Sequence, residues 1–441
     1  MLVSAVYMSH NRKGKRQIDY VEGHPVLKVI PRTYYNLFSI TRFRWFWIGA
    51  TLSSIGDAMS EISIIWLAIE LAPHNQGTVI AFSSAAYLIP GVVSGTLLGK
   101  ILDRVNSRLL ILVDCYSRFG FLAAVAVFRL VGYLPLWLYI VLLAFAAVTR
   151  PIGQAGERVF LRDLIPQTEF FSANSMLSIS VQGATIIGPA LAGILIALMG
   201  AANVIALDAI SFAVFGLVLW LLPKSSSIAD FSASPTSSSV ASLRQLLQLR
   251  VIVGLFLLTF LFHLLYGPLV VALPLYTESL AQPMKASGAA ILGLLWSGFG
   301  IGTLLGGFFA GLRRSLASYT TAAIIVGLWG VAVVMIAATP FIPVAVVAMT
   351  IGGFVYAPYA SITTTIMQHQ SPSNWLARIS SYWSAMTSVA SPLGTIAAGV
   401  VMPLIGARPA LLESGVVTIL IACVALCSTR LVHNKRKEGL T

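Results

Sequence analysis

The chain has 441 residues and a net charge of +13, yet 57% of its residues are hydrophobic and only 10% are charged. A water-soluble globular protein carries about 25% charged residues, so this chain lacks the polar surface to be dissolved in water and reads as an integral membrane protein. Its basic residues are scattered over short loops and the two ends. That is a topological signal rather than a nucleic-acid-binding patch, and no nucleic-acid partner is expected.

A helix needs about 20 apolar residues to cross the hydrocarbon layer, and the chain offers about twelve such segments. In order they cover 45–69, 78–99, 108–130, 134–157, 173–199, 201–222, 250–277, 286–311, 316–338, 341–368, 376–404 and 409–429. The N-terminal tail, 1–44, is basic (Arg12, Lys13, Lys15, Arg16) and is not followed by a short apolar stretch with a cleavage site, so it is read as a cytoplasmic tail. The only long polar stretch between spans is 223–249, rich in serine, a composition typical of flexible linkers. It divides the helices into an N-terminal bundle, 45–222, and a C-terminal bundle, 250–430, with a short tail at 431–441. The great majority of the 28 lysines and arginines lie in the termini, the linker and the even-numbered loops, with Arg129, Lys285 and Arg408 on the other side. The positive-inside rule places both ends in the cytoplasm of a multi-pass cell-membrane protein.

The two bundles carry traces of a duplication. Ile187-Gly188-Pro189-Ala190 in the fifth span matches Ala390-Ser391-Pro392-Leu393-Gly394 in the eleventh, and each is followed by an Ala-Gly pair, Ala192-Gly193 and Ala398-Gly399. Gly298, Gly302 and Gly306 share one face of the eighth span, where small residues let helix backbones approach. Plain packing is the simpler role for that face and a moving interface the alternative. Cys115, Cys423 and Cys427 all lie in apolar runs, so no disulfide framework is expected. No His/Cys metal constellation is present in the sequence. Gly95-x-x-x-Gly99-Lys100 is too short for a phosphate loop and is followed by Ile101 where serine or threonine is required. Neither an enzyme nor an ATP-driven pump is indicated, and no cofactor is expected.

Between the second and third spans stands Gly99-Lys100-Ile101-Leu102-Asp103-Arg104-Val105-Asn106-Ser107-Arg108. The spacing Gly-x-x-x-Asp-Arg-x-Asn-x-Arg closely resembles the loop signature of the major facilitator superfamily. Asn106 stands where that family usually has glycine; asparagine also tolerates a positive backbone angle, so the tight turn is expected to survive. A second string is more specific: Leu164-Ile165-Pro166, Ser172-Ala173-Asn174-Ser175, the Gly188-Pro189 segment, then Leu207-Asp208-Ala209-Ile210-Ser211-Phe212. It is similar to the branch that contains enterobactin exporters and macrolide-efflux proteins, as is Arg378 ahead of Pro392-Leu393-Gly394. The resemblance implies two pseudo-symmetric six-helix halves that rock about a central cavity, an export role, and a cytoplasmic latch built on Gly99, Asp103, Arg104 and Arg108, which Asp114 and Arg118 can join. An internal Asp114–Arg118 salt bridge is the simpler account of the last two, since they stand four residues apart on one helix.

Charged groups inside a bilayer are expensive and usually functional. Asp57 and Glu61 share one face deep in the first span. Two carboxylates so close disfavour double ionisation, the property an antiporter needs in order to exchange a proton for a cationic substrate or an arginine. The resemblance places the first and fourth helices of each half on the cavity, which makes Arg150 a counter-ion for this pair. The set admits three roles: proton coupling, a static ion pair between helices, or cavity polarity without protonation. In the other half, His263, Tyr266, Tyr356 and Tyr359 fall on the expected cavity helices and suit an amphipathic or cationic organic ligand, or simply pack. Asp208 is expected to join helices by hydrogen bonds, and Glu70, Glu278 and Glu413 to be solvated near the outer boundary.

The expected activity is secondary active transport, a proton-coupled export of small drug-like or siderophore-like molecules by a monomer in the lipid bilayer. The competing readings are import of a small metabolite, or a non-transporting sensor or scaffold that keeps the fold. Two outcomes test the sequence-level reading. A tag at Asn75 reacts with an impermeant reagent in intact cells, whereas a tag at Ser238 does not; the reverse pattern inverts the topology. Asp103→Asn and Arg104→Ala each reduce turnover at least several-fold at unchanged membrane expression; wild-type rates in both variants remove the latch.

Overall fold

The computed structural model describes residues 37–102, 105–222, 250–312, 318–371 and 376–438. The 1–36 part of the N-terminal tail, the 223–249 linker, and Asp103 and Arg104 of the latch lie outside the described residues. Among the described residues, twelve helical segments are long and apolar enough to cross a membrane. The first six spans are Thr41–Leu71, Gln76–Leu102, Ser107–Leu130, Leu136–Leu164, Phe170–Met199 and Ala201–Leu221. The other six are Arg250–Ala281, Gly288–Leu312, Tyr319–Ala338, Ile342–Gln370, Leu376–Ile405 and Ala407–Glu438. Several expected boundaries move, among them those of the two tails. The first helix begins at Thr41, inside the segment read as a tail, and the last runs on to Glu438 through residues read as the C-terminal tail.

The fourth span is two helices, Leu136–Val148 and Arg150–Leu164, joined at Thr149. Pro151 stands in the first turn of the second piece, where its missing N–H costs nothing. The break gives Arg150 its place at the start of a new helix.

Helix pairing is the same in the two halves. The first span packs on the fifth and sixth, the third on the sixth, and the second on the fourth; the seventh packs on the eleventh and twelfth, the ninth on the twelfth, and the eighth on the tenth. The contacts between halves obey the same two-fold relation, the fifth span meeting the eighth and the eleventh meeting the second. The turn chemistry repeats as well. Gly200 joins the fifth and sixth spans at φ 84°, and Gly406 joins the eleventh and twelfth at φ 86°. A side chain at either position is strained, so glycine ends both helices.

Backbones approach closely where glycines face neighbours. Gly298, Gly302 and Gly306 pack against Val346, Thr350 and Phe354 of the tenth span. Their stripe is therefore a packing face within the C-terminal half. The face between halves is a different one: Gly293 and Gly300 of the eighth span lie against Pro189 and Ile186 of the fifth, and Ser297 donates a hydrogen bond to the Ile186 carbonyl at 2.9 Å. Thr78 reaches the Gly399 carbonyl at 3.1 Å, and Gly77 lies under Met402. All these contacts sit in the middle of the bundle or toward the face opposite the chain ends. The outer surface is apolar, with Leu130, Leu198 and Val424 each more than 70% exposed, as expected for groups turned to lipid.

Gly302 and Gly307 make a paired test. A methyl group at Gly302 meets the Thr350 carbonyl, whereas one at Gly307 meets nothing within 4 Å. Gly302→Ala costs about 1–3 kcal/mol through overpacking, read as a lower melting temperature in detergent, while Gly307→Ala does not lower it, since alanine favours the helix.

Candidate functional site

Asp57 lies at the middle of the first span and gathers groups from three others. Arg118 of the third span embraces its carboxylate, Nη1 donating to Oδ2 at 3.3 Å and Nη2 donating to Oδ1. Tyr87 of the second span donates to Oδ1 at 3.0 Å and accepts from Arg118 Nη2 at 2.7 Å. Arg150 of the fourth span places Nη2 3.5 Å from Asp57 Oδ2 and 3.9 Å from Glu61 Oε1. Two guanidinium groups thus face two carboxylates. The Arg118 guanidinium is stacked 3.9 Å above the Phe212 ring, and its side chain is only 3% exposed. Removing one partner of such a pair strands a charge in an apolar interior, which costs about 3–5 kcal/mol.

Glu61 differs from Asp57. Its side chain is 57% exposed and, among the described residues, has a single ion-pair partner, Arg150. It lines two adjoining spaces. One is a vestibule of about 1020 Å³ walled by Tyr87, Gly91, Gly95, Arg150 and Gln154 on one side and by Ser380, Ser384 and Ser388 of the eleventh span on the other. These serines recur every fourth residue and form a hydroxyl stripe along one helix face. The vestibule leads toward the end of the bundle that carries both chain ends. The other space is an inner pocket of about 310 Å³ between the two halves, formed by Ile62, Ile65, Pro189, Tyr266, Trp296 and Phe299 among others. With the opposite ends of the halves packed together through Gly77, Gly399, Gly193 and Gly293, the structure is in a state open toward the chain ends.

Several expected positions change. Asp114 and Arg118 form no ion pair with each other; Arg118 is drawn to Asp57, since two donors can straddle that carboxylate with Tyr87 completing the set. Asp114 is buried against Gly153 of the fourth span. Asn106 does not take a positive backbone angle. At φ −61° and ψ 130° it is an N-cap, its side chain accepting the Arg108 N–H at 3.0 Å; the amide oxygen satisfies a helix-end donor. Arg108 donates to the Trp220 carbonyl at 2.6 Å and so ties the third span to the sixth within one half. Gly99 lies in the second helix, near its end.

The tenth span lines neither space, because the eighth-span glycines hold it close and turn its tyrosines into the C-terminal half. Tyr359 is 3% exposed and hydrogen-bonded to Thr259 at 2.6 Å. Tyr356 packs against Phe262, Phe299 and Trp329. His263 directs Nδ1 to the Thr259 carbonyl at 2.9 Å. Only Tyr266 of the four faces the inner pocket, backed by Trp329 in a stacked arrangement at 5.8 Å. Asp208, fully buried, accepts from Ser60 at 2.6 Å and from Ser211 at 3.2 Å, and Gly56 makes room for it. Glu70 is paired with Arg129 at 3.3 Å rather than simply solvated.

Tyr87, Trp296, Phe299 and the Ser380/Ser384/Ser388 stripe join the site without having been expected from the sequence. The stripe was visible as a four-residue repeat; Tyr87 and the aromatic pair carry no signal apart from their neighbours.

Comparison with known proteins agrees with this architecture. A family profile described as transmembrane secretion effector matches residues 33–439. The multidrug efflux pump Tap of Mycolicibacterium fortuitum is 25% identical over 395 residues, covering 87% of this chain and 94% of the relative. Macrolide efflux protein A of Streptococcus pyogenes is 23% identical over 406 residues, covering 88% of this chain and 96% of the relative. Among solved structures, a POT-family peptide transporter superposes with a TM-score of 0.67 at 11% identity, covering 90% of this chain and 95% of that one. An inward-facing, unoccupied bacterial homologue of the human lysosomal transporter Spinster superposes with a TM-score of 0.60 at 13% identity, covering 88% of this chain and 96% of that one. The chain belongs to the transmembrane secretion effector family of major facilitator transporters.

Proposed function

We propose that this transporter exports small organic molecules, drug-like or siderophore-like, in exchange for protons, with both termini and the 223–249 linker in the cytoplasm. The observation that carries the reading is the position of Glu61. It borders both the vestibule and the inner pocket, and Arg150 links it to Asp57. A basic or polar substrate entering from the chain-end side reaches this carboxylate first and competes with Arg150 for it. Its apolar part enters the pocket of Tyr266, Trp296 and Phe299, where aromatic faces suit an organic cation. When the halves rock to expose the other side, a proton taken up by the Asp57/Glu61 pair replaces the substrate. The two ligands share one set of groups, so the cycle proceeds by exchange, each ligand acting only through its differential affinity for the two states. The efflux pumps among the relatives favour export over import, and an open vestibule leading to an acidic group favours transport over a scaffold role. Cell-membrane residence and monomeric action complete the proposal.

A second role is supported for Asp57, whose buried contact with Arg118 also holds the first and third spans together. Transport in proteoliposomes with and without a pH gradient separates the roles. Asp57→Asn or Glu61→Gln abolishes gradient-driven accumulation, at least tenfold, while downhill exchange persists. Full gradient dependence in both single variants and in the double variant rejects the coupling. If Arg150→Ala unfolds the protein and neutralising a carboxylate rescues it, the set is a static ion pair instead.

A further inference from the structure

Arg118 touches Asp57 through Nη1 and Nη2 only. Its Nε is buried and, among the described residues, has no hydrogen-bond partner; the same holds for Oδ1 of Asp114. The two residues are one helical turn apart on the third span, and helical side chains lean toward the preceding turn. Arg118 therefore has a second carboxylate within the sweep of its own side chain, one whose Oδ1 accepts no hydrogen bond among the described residues although the Thr149 hydroxyl lies close to the carboxylate. A buried carboxylate oxygen without a donor is costly to keep.

Charge counting says when Arg118 would use it. Arg118 and Arg150 now face Asp57 and Glu61. One proton on that pair leaves two guanidinium groups facing a single carboxylate. Arg150 bridges both members of the pair, whereas Arg118 holds only Asp57. Among the described residues, the other ionisable groups around Arg118 and Asp114 are Tyr87 of the second span, Glu157 of the fourth, Asp208 of the sixth and Cys115 of the third. Asp208 is occupied by Ser60 and Ser211.

We propose that Asp114 is a positioning residue for transport: it receives Arg118 when the Asp57/Glu61 pair takes up a proton or its charge is otherwise neutralised. The move carries the event from mid-membrane to the third and fourth spans near the chain-end face. There Asp114 lies against Gly153, beside Gln154 of the vestibule wall. This inference rests on the coupling role proposed above.

The test uses full-length protein in nanodiscs with Cys115, Cys423 and Cys427 replaced by alanine and a single reporter, Ser384→Cys, in the vestibule. The rate of maleimide labelling reports how open that side is. Asp57→Asn, which mimics the neutralised pair, shifts the rate at least fivefold. Adding Asp114→Asn returns it to within twofold of the parent, and Asp114→Asn alone changes it less than twofold. Asp57→Asn combined with Asp114→Glu keeps the shift, which guards against a mere packing effect and serves as the second variant if Asp114→Asn is poorly folded. Equal rates in Asp57→Asn with and without Asp114→Asn overturn the proposal, as does an unshifted rate in Asp57→Asn. Gradient-driven transport measured on the same variants keeps the two ideas apart. If Asp57→Asn has lost coupling but labels independently of Asp114, the switch alone is wrong. If Asp57→Asn and Glu61→Gln retain coupling, the function proposed above fails instead.

Discussion

Asp57 is a carboxylate in the middle of an apolar bundle, and the arrangement of the N-terminal half follows from how that charge is compensated. A lone ion at this depth is costly enough that it recruits donors from every helix within reach. Arg118, Tyr87 and Arg150 arrive from the third, second and fourth spans, so a single group fixes the relative positions of four helices. Arg118 is further held by the Phe212 ring beneath it, which brings in the sixth. Compensation by two arginines leaves an excess of positive charge that Glu61 balances. Glu61 does so from the edge of the cavity, where water and substrate can reach it.

The two halves divide the work. The N-terminal half holds the ionic cluster, and the C-terminal half supplies apolar and hydroxyl surface: Tyr266, Trp296 and Phe299 around the inner pocket, and the Ser380/Ser384/Ser388 stripe along the vestibule. Behind the pocket Phe262 packs against Trp329, Tyr356 and Tyr359, and Trp329 against Tyr356, and such close packing makes that wall stiff. A stiff wall facing a charge cluster with exchangeable partners suits a carrier in which a chemical event in one half changes its fit to the other.

Glycine sets which contacts hold and which part. The eighth span presents two small-residue faces. Gly298, Gly302 and Gly306 seat the tenth span inside the C-terminal half, and Gly293 and Gly300 meet the fifth span across the divide. Contacts across the divide rest on glycines, which meet backbone or a small patch of side chain, and on single hydroxyl bonds such as Ser297 to the Ile186 carbonyl. With lipid as apolar as the helix surfaces, such contacts gain little from the hydrophobic effect and rely on close packing. An interface of that kind separates without exposing a large new apolar surface to water.

Membrane class, the twelve spans, the six-plus-six division and the kinship are legible along the chain, because hydropathy and loop charge are properties of short stretches that a bilayer reads one helix at a time. The sequence also placed Asp57, Glu61 and Arg150 together, since ionisable residues in spans are few and must find partners. Local patterning failed where a residue had several partners within reach. Asp114 stands one turn from Arg118, yet a more distant carboxylate with better geometry took the arginine. Asn106 had the conformational freedom for a tight turn, yet capping an exposed helix end was the better use of its amide. Tyr356 and Tyr359 were on a helix expected to face the cavity, and the glycines of the eighth span turned that helix inward. Competition among partners from different spans is settled when the helices pack, and no local pattern encodes its outcome.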